Sequence, residues 1–450
     1  MKRKIYQELL EWKKYSARNT ALLLEGARRV GKSYIVEAFA KKEYRSYVLI
    51  DFNIAPNSIK DLFYNYLNDL DQFFMFISNY YNVKLYEHQT LFIFDEVQLF
   101  PKARASIKYL VKDGRYDFIE TGSLMSIKQN VQDIVIPSEE RHFRMYPFDF
   151  EEFLWALGYD TTMDMIRYCF ENKKPLGQDM HRKVMNLFRQ YLIVGGMPQA
   201  VECYVKTKDF AKVDRVKRDI LDLYRSDIIK HAKGYEVKVE QIFDAIPSQL
   251  TKHDIKFRFS SLKKSARFRE YNDALFWLSD AMIINSSYNS TEPNIGLKLN
   301  LDRLTLKCYM ADTGLLLSHT FDENGIVQNE VYKKILFNKL EVNMGMLIEN
   351  VVAQMLRAAG HRLYFYSCNS REDASRRMEI DFLITKSKVT NRHNISPIEV
   401  KSTSRYTTRS LEKFMEKYKE QLDTPYVLHT SDLKIENDIV YLPLYMASLL

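Results

Sequence analysis

Apolar residues come in short unbroken runs over the first 125 positions, and the stretches between them are amphipathic. The runs are Ala21 to Leu24, Tyr47 to Ile50 and Leu91 to Phe94, with a shorter one at Phe118-Ile119. A strand with one wet face alternates apolar and polar residues. An unbroken run is a strand covered on both faces, the mark of a parallel sheet. Between the first two runs, Ile35, Val36, Phe39 and Ala40 recur at helical spacing within Tyr34 to Lys41, which predicts an amphipathic helix. Strands alternating with helices predict a parallel sheet with helices on both faces.

Past about Met145 the strand signal fades, and helical patterns run to Lys233. Residues 236–290 hold three further helical patterns. One of them, Tyr271 to Met282, carries Ala274, Leu275, Trp277 and Leu278 on its apolar face. Strands are predicted at Met282–Asn285 and Leu297–Leu301, and helices followed by two strands read as a winged-helix-like module. The last 110 residues return to mixed structure. A helix is expected over Met344–Ala359, strands near Arg362–Tyr366, Ile380–Ile384 and Ile398–Ser402, a polar loop over Lys386–Ser396, and a helix over Thr408–Gln421. The predicted fold class is α/β, in three parts. Residues 1–150 are expected to form a parallel sheet with helices on both faces, 151–325 a helical lid and winged-helix-like module, and 326–450 a small α/β domain.

Composition narrows the function classes. Only 14 glycines and 11 prolines in 450 residues leave no material for long flexible linkers. The four cysteines form no Cys-x-x-Cys pair, and the nine histidines show no metal-ligand spacing, so a zinc site or a disulfide scaffold is not indicated. The basic N-terminus has no apolar core behind it, and the apolar tract Val440 to Leu450 is short of the ~20 residues a spanning helix needs. A cytoplasmic protein with no membrane partner is expected. A net charge of +8 is compatible with a nucleic-acid partner without requiring one.

The chemistry is concentrated first in Gly26-Ala27-Arg28-Arg29-Val30-Gly31-Lys32-Ser33, set between an apolar run and an amphipathic helix. This is the full P-loop pattern in its proper context. The glycines let backbone N–H groups turn inward on phosphates, and the following helix adds partial positive charge. Lys32 is expected to reach the β- and γ-phosphates of ATP and Ser33 to ligate magnesium. About 60 residues on, Leu91 to Phe94 ends in Asp95 and Glu96. Ligands bind at the carboxyl ends of such strands. Asp95 is expected to hold the metal and Glu96 to orient or deprotonate the attacking water. Thr121 and Ser123, after the next strand, are candidates to sense the γ-phosphate or position that water.

These residues carry a resemblance. The loop, Phe94 to Gln98 and Thr121 to Ser123 resemble a large family of bacterial and archaeal AAA-type ATPases, whose members join an N-terminal ATPase to a C-terminal domain of unknown function. Arg144 to Leu154, Tyr191 to Pro198 and Tyr309 to Leu315 are similar to three further segments of that family, so the likeness covers nearly the whole chain. The family places an arginine, often after glycine, ahead of the first of these segments. Here Arg141 and Arg144 are available, preceded by Glu140 and Phe143. The resemblance implies that either could stabilise transition-state charge, in cis or toward a neighbour in a homo-oligomer.

A second constellation lies near the C-terminus. Glu399 and Lys401 share one face of a strand whose other face carries Ile398 and Val400. Asp381 lies on the strand before it and Glu349 on the preceding helix. A helical Glu, a strand Asp and a strand Glu-x-Lys, in that order, resemble restriction-endonuclease-like nucleases, in which the strand carboxylates hold a divalent metal. The basic stretch Lys252 to Arg269 would suit phosphate contacts. The expected function is an ATP-hydrolysing, magnesium-dependent switch acting on DNA or RNA through its C-terminal half. An ATP-gated metal-dependent nuclease and a protein-binding scaffold with an inert nuclease-like domain stand as alternatives.

Overall fold

The computed structural model describes all residues except 124–135, 253–254, 295, 323–324, 326, 337–343, 369–376, 386–393 and 404. The chain divides into two compact units: Met1–Tyr146 with Asp280–Met282, and Pro147–Ser279 with Ile283–Leu450.

In the first unit, β1 (Ala21–Gly26), β2 (Ser46–Asp51), β3 (Thr90–Asp95), β4 (Asp117–Gly122) and β5 (Glu140–Met145) form one sheet in the order β2-β3-β4-β1-β5. Every pairing is parallel. The unbroken apolar runs have the predicted cause. Phe92 and Phe94 of β3 pack with Phe63, Phe73 and Ile107 of the helices on one face. Leu91 and Ile93, one residue out of phase, pack with Leu9, Trp12, Val36 and Phe39 on the other. This is a P-loop NTPase sheet with helices on both faces.

The strand β5 has no apolar run to announce it. Its sequence is Glu-Arg-His-Phe-Arg-Met, and it forms the edge beside β1. Charged side chains are what an exposed edge strand carries, and they hid it from a search for buried strands.

The second unit is a helical region followed by a second, mixed sheet. Helices at Phe150–Ala156, Gln178–Val194, Pro198–Thr207, Phe210–His231 and Glu236–Leu250 precede a hairpin of β6 (Ile284–Ser290) and β7 (Leu301–Met310). The second strand of this hairpin starts where the sequence pattern ends it and runs nine residues further, because Leu306, Cys308 and Met310 alternate with Lys307 and Tyr309, and all five are buried. The hairpin does not stand apart as a wing. It joins β8 (Tyr364–Cys368), β9 (Met378–Thr385), β10 (Ile395–Val400), β11 (Tyr426–His429), β12 (Lys434–Glu436) and β13 (Ile439–Pro443) in one sheet, ordered β12-β13-β11-β10-β9-β8-β6-β7. The helix Met344–Ala358 bears Glu349. No helix among the described residues is long and apolar enough to cross a membrane.

Candidate functional site

The phosphate-loop sequence leaves the end of β1 and turns directly into the helix Lys32–Glu43. Two residues make the turn through positive φ: Arg29 at 68° and Gly31 at 96°. Gly26 is fixed by space instead. A Cβ there would lie 2.6 Å from the Met145 carbonyl oxygen of the neighbouring strand. Lys32 is buried, and its Nζ donates to the carbonyls of Gly26 (2.9 Å) and Ala27 (3.1 Å), which holds the ammonium over the loop. Arg3 braces the same loop from outside the motif. Its guanidinium donates to the carbonyls of Val30 (3.1 Å) and Tyr146 (2.6 Å).

Three of the predicted residues meet at one carboxylate oxygen. Ser33 Oγ donates to Asp95 Oδ1 at 2.9 Å, and Thr121 Oγ1 donates to the same oxygen. Asp95 is the last residue of β3 and Thr121 lies near the end of β4, so the parallel register places both at the carboxyl edge of the sheet. Glu96, the next residue, adopts φ 53°, and Gln98 Nε2 donates to its carboxylate. Sequence reasoning missed Gln98. Its position two residues after a candidate catalytic acid, closing the segment Phe94 to Gln98, was the available signal.

Behind this edge lies a charge cluster with no counterpart in the sequence reading. Arg104 pairs bidentately with Glu140 (2.9 and 2.8 Å), and both side chains are buried. Burial opposes the charge on Arg104, but Glu140 outweighs it and holds the guanidinium protonated. Glu120 is fully buried beside them. Desolvation and the neighbouring Glu140 push its carboxyl well above the usual range. His142 sits between Glu140 (3.3 Å) and Glu25 (3.5 Å), and these two partners raise its pKa to about 9. Arg144 lies 3.7 Å from Glu25, directly opposite it in the β1–β5 register. Arg141, opposite Leu22, donates instead to Ser16.

Comparison with known families matches residues 18–154 to a model described as an AAA domain. The matched stretch spans the phosphate loop and all five strands of the P-loop NTPase sheet. Two further models, both of unknown function, follow it: residues 185–324 match DUF8612, and residues 344–446 match DUF4143. A comparison with curated proteins returns no match. Solved structures similar to the chain include the Walker-type ATPase PABY2304 of Pyrococcus abyssi, with 15% identity, 71% of this chain and 95% of that chain covered, and a TM-score of 0.39. They also include the Aeropyrum pernix Orc1 protein in complex with DNA, at 9% identity, 72% and 94% coverage and a TM-score of 0.29. Cdc6p from Pyrobaculum aerophilum is similar at 12% identity, 75% and 94% coverage and a TM-score of 0.26. Likeness at this level carries no functional information.

In the second unit, residues around Phe148, Tyr191 to Gly196 and Asp312 come together as a packing junction. Phe148 N–H donates to the Gly196 carbonyl (2.7 Å), and Gly196 N–H donates to Asp312 Oδ2 (2.5 Å). The other oxygen of Asp312 caps its own helix at Leu315 N–H (2.8 Å). Tyr191 Oη donates to the Phe148 carbonyl at 2.7 Å. A Cβ on Gly196 would collide with the Phe148 backbone, and one on Gly195 with Asp312. The glycines and the aspartate are therefore explained by close backbone approach.

The four C-terminal candidates do not form a single cluster of their own. Glu349 and Asp381 face Lys307, a β7 residue that sequence reasoning did not single out. Its Nζ lies 3.1 Å from Glu349 Oε1, 3.0 Å from Glu379 Oε1 and 3.6 Å from Asp381 Oδ1. Tyr309 Oη also donates to Glu349 Oε1 (2.6 Å), and Val400 N–H donates to Asp381 Oδ2 (2.8 Å). Lys401 pairs with Glu399 at 2.7 Å. Burial raises Glu349 and Glu399 each to about 7, against the pull of Lys307 and Lys401 respectively. Among the described residues no group of three or more His, Cys, Asp or Glu is arranged to hold a metal ion.

Proposed function

We propose that the protein is a molecular switch that hydrolyses ATP with magnesium in its AAA-type domain and acts on nucleic acid through its second unit. The observation that carries the ATPase half is the meeting of Ser33, Asp95 and Thr121 at one oxygen, beside the start of the helix that bears Lys32. In this reading the backbone from Gly26 to Gly31 cradles the phosphates, and Lys32 contacts the β- and γ-phosphates. Ser33 and Asp95 would hold magnesium, which when bound would supply positive charge beside the phosphates. Glu96, steadied by Gln98, orients the attacking water. Thr121 fixes the Asp95 rotamer. Arg144 is the arginine whose register position lies nearer the loop, and Arg141 is the more remote.

The nucleic-acid half rests on a run of exposed basic side chains, Arg258, Lys263, Lys264 and Arg267, in the second unit. Side chains of this kind contact phosphates without reading sequence, and their contribution weakens as salt rises.

The test is steady-state ATP turnover by wild type, Lys32→Ala and Glu96→Gln, each with and without single- and double-stranded DNA and RNA over a salt series. Turnover is expected only in wild type, with nucleic-acid stimulation that falls at high salt. Turnover persisting in Lys32→Ala would remove the P-loop assignment. Turnover indifferent to every nucleic acid would move the partner to protein.

A further inference from the structure

The order Glu349, Asp381, Glu399, Lys401 invites a divalent cation, and the structure offers a test of fit. A metal needs oxygen ligands at ~2.0–2.6 Å and an open centre between them. The centre here is taken. Lys307 Nζ stands about equally far from Glu349 and Glu379, with Asp381 next. Its side chain is 1% exposed, and the Phe365 ring lies 5.1 Å from the ammonium. A second lysine, Lys256, reaches Glu379 at 3.4 Å. The remaining oxygen of Asp381 accepts from the Val400 amide, and Glu399 Oε2 lies 2.7 Å from the Lys401 ammonium as an ion pair.

We propose that Lys307 is the resident cation of this cluster, so that the C-terminal sheet is built around a fixed ammonium, binds no catalytic divalent metal and does not cleave nucleic acid by metal-assisted hydrolysis. The chemistry of the set supports this. An ammonium at hydrogen-bond distance from two carboxylates, supplied by the chain itself, cannot diffuse away, and its desolvation is met in folding. A buried charge is tolerated when paired in this way. This inference does not depend on the ATPase reading, because none of its residues belongs to the AAA-type domain.

The experiment measures Mn²⁺ binding to the nucleotide-free full chain, carrying Asp95→Asn to remove the ATPase-site ligand, by the electron paramagnetic resonance of free Mn²⁺. No bound ion is expected, and an ion that survives the addition of Asp381→Asn is held elsewhere and leaves the proposal standing. One ion per chain, lost on adding Asp381→Asn, would overturn it. A second arm replaces the cation. Lys307→Met is expected to melt at a lower temperature than the parent and to recover part of the loss with Mn²⁺, a recovery abolished by adding Asp381→Asn. A folded Lys307→Met whose melting ignores Mn²⁺ would also overturn the proposal. If Lys307→Met does not fold, the first arm decides alone.

Discussion

Asp95 Oδ1 receives two hydroxyl hydrogen bonds from residues 62 positions before it and 26 after it. A residue at such a convergence is held in one rotamer, which is what preorganised chemistry requires. If Lys32 and Glu96 act as proposed, their substitutions separate. Lys32→Ala should lose nucleotide binding and turnover together. Glu96→Gln should still bind ATP while turnover falls ~10²–10³-fold, the usual scale for removing one catalytic group. A fluorescent nucleotide titration beside a phosphate-release assay checks both. His142 gives a pH signature. Its folded pKa, about 9, exceeds the ordinary 6.5 because Glu140 and Glu25 favour the charged ring. Its contribution to stability is therefore fully present below about pH 6.5 and lost as pH rises through about 9. His142→Gln should narrow the stability gap to wild type between about pH 6 and pH 10, read by urea unfolding. At this scale the sequence was informative where a contiguous string encodes a geometry, as in Gly26 to Ser33. It was silent on Arg104, His142 and Lys307, whose partners, Glu140 beside His142 apart, lie tens of residues away and depend on strand order.

At the level of elements, the strand most responsible for positioning the loop was the one the apolar pattern could not reveal. The backbone of β5 lies beside β1 from Ala21 to Gly26 and brings the Met145 carbonyl against Gly26. Gly26→Ala should force these strands apart and destabilise the first unit by ~1–3 kcal/mol, the usual cost of overpacking. Thermal unfolding would register it. The pair Arg104–Glu140 ties the helix Pro101–Asp113 to the same edge strand. Arg104→Met leaves buried Glu140 with His142 alone and should cost up to ~3–5 kcal/mol. Adding Glu140→Met should recover much of that loss, a double-mutant cycle that distinguishes an unpaired charge from a packing defect. The central strands were legible because burial on both faces leaves an unbroken apolar run. An edge strand is half solvated, and its alternating charges look like a basic loop.

For the whole molecule, the decisive fact is that the second sheet draws strands from both sides of residue 325. Strand β6 pairs with β8 in parallel at Tyr288 and Asn289, so the hairpin is an edge of a larger sheet. A fragment of residues 1–325 would expose that edge and leave buried Lys307 without Glu349, Glu379 and Asp381. It should be insoluble or sensitive to protease within 284–310, a result that sodium dodecyl sulfate gels after limited digestion would show. Local patterns could place the hairpin and the later strands separately. Only the three-dimensional pairing joins them.

The buried ammonium has a consequence for inheritance. Lys256 and Lys307 lie within the stretch matched by one family model, 185–324, while Glu349, Glu379 and Asp381 lie within the stretch matched by another, 344–446. Neither stretch is electrically balanced at this point without the other. Recombination between distant relatives at the seam would unite acids with no lysine or a lysine with no acids, so the two stretches should descend as a linked pair, with changes at Lys307 answered by changes among its three carboxylates.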